Sequence, residues 1–63
     1  MSDYRIYVLD RMGHIRLAYD FSGRDDLAAL DESKKYFRNG SVEIWQGSRK
    51  VAQIDKSGEA VTG

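Results

Sequence analysis

His14 is the single histidine of this 63-residue chain and the one side chain that titrates near neutral pH, so it is the first candidate for general acid–base chemistry. It follows Gly13 in a turn-like stretch, and no serine or cysteine stands near it in a nucleophile context; a surface turn histidine is the better reading. The carboxylates Asp25, Asp26 and Asp31 could in principle hold a metal or move a proton. Asp25 and Asp26 suit the positive end of a helix, and Asp31 can pair with Lys34 or Lys35. The alternating acids of a calcium loop are absent. Gly13, Gly23, Gly40 and Gly47 fall singly in separate turns, so no phosphate-cradling loop exists. With Cys 0 and His 1, a disulfide is impossible and a zinc site disfavoured. These residues imply no catalytic group, cofactor or metal, and the chain reads as a non-enzyme.

The aromatic and arginine residues carry more. Alternation along the strands described below puts Arg5, Tyr7, Arg16 and Trp45 on one sheet face, and an open sheet bearing aromatics and arginines can stack unpaired bases. Lysine plus arginine total 10 and aspartate plus glutamate total 10, so no long-range field gathers a polyanion. Asp20, Glu43 and Asp55 near the same surface would repel phosphates. The same residues serve a protein contact better. Tyr7, Leu9, Ala18 and Trp45 make an apolar group that a single helix cannot cover, and tyrosine, tryptophan and arginine are enriched at interface hot spots. A second copy of the chain or another protein is therefore the favoured partner, with single-stranded nucleic acid the alternative.

The elements that must position these residues are legible in the alternation. Tyr4 to Leu9 is rich in β-formers, Asp10-Arg11-Met12-Gly13 offers a turn, and His14 to Phe21 alternates apolar and polar. A tight loop at Met12-Gly13 pairs Val8 with Leu17, Ile6 with Tyr19 and Tyr4 with Phe21, and on the reverse face Arg5 with Asp20 and Tyr7 with Ala18. Ser22-Gly23-Arg24-Asp25 has capping-box spacing and starts a helix whose apolar face is Leu27, Leu30, Ser33 or Lys34, and Phe37. Asn39-Gly40 is expected to end it, since glycine can take the left-handed conformation that closes a helix.

Val42 to Ile54 is a second hairpin, and its turn decides what surrounds Trp45. A two-residue loop, Gln46-Gly47 or Gly47-Ser48, puts Val51 with Val42 and Ile44 and leaves Ala52 and Ile54 beside Trp45. A three-residue loop pairs Ile44 with Ala52 and Val42 with Ile54, but asks Arg49 to adopt a conformation suited to glycine. Turn chemistry favours the shorter loop. The expected fold is an α+β, two-layer ββαββ domain over residues 1–56, a four-stranded antiparallel sheet with one helix on one face, followed by a flexible tail at 57–63. The expected interaction surface is Tyr7, Leu9, Arg16, Trp45 and Ile54.

The strand segment Tyr4 to Asp10, Gly13-His14-Ile15, and the hairpin Val42-Glu43-Ile44-Trp45-Gln46-Gly47 with Arg49, Val51 and Ala52 resemble small uncharacterised bacterial proteins with a strand-strand-helix-strand-strand pattern. The likeness covers nearly the whole chain. It implies a bacterial cytoplasmic protein and transfers no functional residue. No apolar run approaches the roughly 20 residues that span a bilayer, and the N-terminus lacks a basic-then-apolar secretory pattern, which fits the expectation of a soluble intracellular protein without membrane partners.

Overall fold

A computed structural model describes residues 1–38 and 40–62. Five strands, β1 (Ser2–Leu9), β2 (Ile15–Gly23), β3 (Ser41–Gln46), β4 (Arg49–Ile54) and β5 (Ala60–Thr62), form one antiparallel sheet in the order β2-β1-β3-β4-β5. Helix α1 (Asp26–Ser33) and a 3-10 turn at Lys34–Tyr36 connect β2 to β3. The α+β class and the antiparallel sheet are as expected, but the sheet has five strands rather than four. The additional strand, β5 (Ala60–Thr62), lies within the stretch 57–63 that the sequence reading gives as a flexible tail.

The reason is a turn used twice. In Asp10-Arg11-Met12-Gly13-His14 the Asp10 N–H donates to the His14 carbonyl and the Gly13 N–H to the Asp10 carbonyl, while Asp10 Oδ1 accepts from the Met12 and His14 amides. Asp55-Lys56-Ser57-Gly58-Glu59 repeats each of these bonds, with Asp55 Oδ1 accepting from the Ser57 and Glu59 amides. Gly13 and Gly58 take the same positive φ, 87° and 89°, which a side chain would strain. One motif thus folds β1 onto β2 and β4 onto β5.

The first hairpin has the expected register: Tyr4 faces Phe21, Arg5 faces Asp20, Ile6 faces Tyr19, Tyr7 faces Ala18 and Val8 faces Leu17. A bulge then leaves Arg16 unpaired and brings Ile15 opposite Leu9. In the second hairpin the loop is the short one, Gly47-Ser48, with φ 60° at Gly47 and Gln46 opposite Arg49. Beyond Lys50 a second bulge inserts Val51, so Ile44 faces Ala52 and Val42 faces Ile54. The short loop therefore does not have the consequence expected of it. Val51, Ala52 and Ile54 all join the core, because the bulge turns the last two to the helix side.

That core holds Tyr4, Ile6, Val42, Ile44, Val51, Ala52 and Ile54 from the sheet with Ala29 from the helix. Full burial of a side chain such as Ile6 or Ile44 is worth about 1.5–3 kcal/mol. The helix cap also differs from expectation. Ser22 and Gly23 finish β2, and Asp25 is the N-cap, its carboxylate accepting from the Ala28 amide at 2.9 Å. Starting there, the helix turns Ala29 and Ser33 to the sheet and leaves Leu27 exposed. Ser33 is tolerated because its hydroxyl donates to the Leu30 carbonyl at 2.7 Å. The helix stops through the 3-10 turn, with Phe37 extended. Of the expected stop signal, Asn39 lies outside the described residues. Gly40 is buried where a Cβ would collide with the Leu9 carbonyl and the Asp10 backbone, so close approach requires glycine there.

Candidate interaction surface

The sheet face away from α1 is organised in rows set by the strand registers. One row runs Ala18, Tyr7, Glu43, Gln53, Val61; the next runs Asp20, Arg5, Trp45, Lys50; a third holds Ile15, Leu9 and Ser41. Cross-strand neighbours on one face are close enough to interact. Three of the five residues expected to form the interaction surface, Tyr7, Leu9 and Trp45, are brought together here, each half-buried.

The other two are not. Ile54 is 3% exposed in the core on the opposite face, because the β4 bulge reverses the alternation that would have set it beside Trp45. Arg16 is the bulged residue of β2; it sits near the first turn, its Nη1 3.9 Å from Asp10 Oδ2, and lines a groove with Val8 and Leu17 rather than flanking Trp45. Arg5 does belong to the face, its guanidinium 6.0 Å from the Tyr7 ring centroid and ion-paired with Asp20 at 2.8 Å.

Glu43 is the residue that sequence reasoning undervalued. It lies on the same strand as Trp45 two positions earlier, hence on the same face, and its Oε1 accepts from the indole Nε1 at 3.0 Å. Its Oε2 is 3.8 Å from Lys50 Nζ, which donates to Gln53 Oε1 at 2.6 Å. The indole N–H is satisfied within the chain, which fixes the ring as a flat, half-buried plate beside Tyr7 and Arg5. The spacing Glu43-x-Trp45 was the available signal.

His14 is exposed at the first turn, its Nδ1 3.7 Å from Asp10 Oδ2. Asp25 caps α1, Asp31 pairs with Lys34 at 3.6 Å, and Asp26 accepts from Tyr4 and Arg49. Among the described residues no group of three or more histidine, aspartate or glutamate side chains is placed to hold a metal, and no helix is long and apolar enough to cross a membrane. No protein-family model matches the chain, and no curated protein or solved structure shows significant similarity to it.

Proposed function

We propose that the chain is a small non-enzymatic interaction module whose helix-free sheet face, centred on Trp45, packs against the same face of a second copy. The observation that carries this reading is that Tyr7, Leu9 and Trp45 share one face across β1 and β3, which no element among the described residues covers. Both signs of charge accompany them, Arg5 and Lys50 against Asp20 and Glu43, so a rotated copy can set opposite charges together. A polyanion meets the reverse: Glu43 adjoins both Tyr7 and Trp45, and Arg16 is drawn off the face.

Sheet-on-sheet association also suits so small a domain, which buries only about 60% of its unfolded surface alone. The 32 × 19 Å extent of the molecule lets this face supply on the order of 600 Å² per copy, at the lower bound of specific interfaces, roughly 1,200 Å² in total. A weak, concentration-dependent dimer is the expected form. The resemblance to small bacterial proteins extends the proposal to a cytoplasmic setting.

Sedimentation equilibrium over a wide concentration range tests it. A reversible dimer that Trp45→Ala weakens about tenfold or more, with the far-UV spectrum unchanged, supports the reading. A strict monomer overturns it, and salt-dependent binding of a single-stranded oligonucleotide with shifts at Tyr7 and Trp45 replaces it with the nucleic-acid alternative.

A further inference from the structure

At the end of the sheet where β1 turns into β2, an open groove of about 450 Å³ runs between the first turn and the segment leading into β3. Its floor is Val8, Leu17 and Met12, the last two 50% and 80% exposed although both are large and apolar. Three arginines, Arg11, Arg16 and Arg38, stand around it against one acid, Asp10. Among the described residues only Arg16 of the three has a carboxylate within ion-pair range, at 3.9 Å, so the rim keeps a surplus of positive charge in a protein of net charge +0.

We infer that this groove binds a small carboxylate carrying an apolar chain, the chain lying on Val8, Leu17 and Met12 and the carboxylate held by the arginine rim. Guanidinium forks match a carboxylate in a bidentate geometry, and the groove volume lies in the range of small-molecule sites. The turn that forms one wall has a fixed backbone. Asp10 Oδ1 accepts from the Met12 and His14 amides at 2.9 Å each, which fixes the main chain that carries Arg11 and Met12. Gly40 closes the far wall against the Leu9 carbonyl, where no side chain fits. Among the described residues no aromatic ring lines the groove.

The probe is octanoate below its micelle concentration, titrated into the isotopically labelled chain. Saturable shifts confined to Val8, Met12, Leu17 and the arginine side chains are expected, with acetate and octanol each binding at least about tenfold more weakly. Arg38→Ala, at an exposed position, is expected to weaken octanoate by about tenfold or more while octanol is unaffected. Leu17→Gln tests the floor in the same way. Absence of saturable shifts, equal binding of octanol, or shifts that survive Arg38→Ala unchanged would each overturn the assignment. The outer face around Trp45 reports separately, because it lies on the other side of the sheet.

Discussion

The indole N–H of Trp45 donates to Glu43 at 3.0 Å, along one strand and on one face, and the same carboxylate lies 3.8 Å from Lys50. One acidic side chain therefore contacts both the largest aromatic plate of the outer face and a cation opposite it. Glu43→Ala is expected to lower stability by roughly 0.5–1.5 kcal/mol in urea unfolding, the net worth of a partly exposed hydrogen bond. Trp45 fluorescence should shift in the same variant as the indole loses its partner. A variant with unchanged emission and stability would show that the ring is held by packing alone.

Ile54 belongs to the core and not to the outer face, where it pairs with Val42 at 3% exposure. Ile54→Ala is expected to cost about 2–5 kcal/mol, the usual range for truncating a buried aliphatic side chain. For a domain of this length that is a large part of a total stability on the order of 3–9 kcal/mol. Chemical unfolding of the variant checks this, and a loss under about 1 kcal/mol would place Ile54 outside the packed interior.

The contrast between the two hairpins explains what was readable. In the first, apolar residues meet apolar ones and Arg5 meets Asp20 in only one register, and that register is the one formed. In the second, strict alternation cannot bury Val51 together with Ala52 and Ile54; a bulge does, and the three apolar residues in four positions were its trace. Arg16 left no such trace, since a bulge at an edge strand can take any exposed side chain. The repeated Asp-x-x-Gly turn at Asp10 and Asp55 was visible as a pattern and would have extended the sheet to β5. Of the expected helix face, Leu30, Ser33 and Phe37 do turn toward the core; only Leu27 misled, because Asp25, once it is the cap, turns Ala29 inward in its place.

The twin turns make stability acid-sensitive. The amide of His14 chiefly, and for Asp55 the Ser57 hydroxyl followed by the Glu59 amide, hold the two carboxyls below the ordinary aspartate range. Groups depressed in the folded state contribute stability that is full above the unfolded value of about 3.9 and is lost as pH falls through the lower folded values. Asp10→Asn and Asp55→Asn retain a side-chain acceptor for the turn but remove the titration. The double variant is expected to unfold with a shallower dependence on pH below about 4. Asp26 and Glu32, also depressed, should sustain the remaining slope, so an unaltered acid limb would assign it to them.

Asp26 ties the helix start to three strands. Its Oδ1 accepts from the Tyr4 hydroxyl at 2.8 Å, and Arg49 forks onto both oxygens at 3.2 and 3.1 Å while also donating to Gln46 at 2.6 Å. The Arg49 guanidinium, then the Tyr4 hydroxyl, lower the Asp26 carboxyl; burial, then Asp26 itself, raises the Tyr4 phenol. Tyr4 is 4% exposed, so its hydroxyl depends on this acceptor, whereas Arg49 can turn to water. Asp26→Ala is therefore expected to lower the urea midpoint more than Arg49→Ala, with Asp26→Asn between them because its amide oxygen still accepts from Tyr4. Adding Tyr4→Phe to Asp26→Ala should recover part of the loss, since no buried donor is then stranded. The raised phenol has the opposite pH sense to the carboxylates: its contribution is present below about pH 10 and is lost as pH rises through the folded value, a limb absent from Tyr4→Phe. If Arg49→Ala proves the more costly change, the forked ion pair rather than the buried phenol anchors the helix to the sheet.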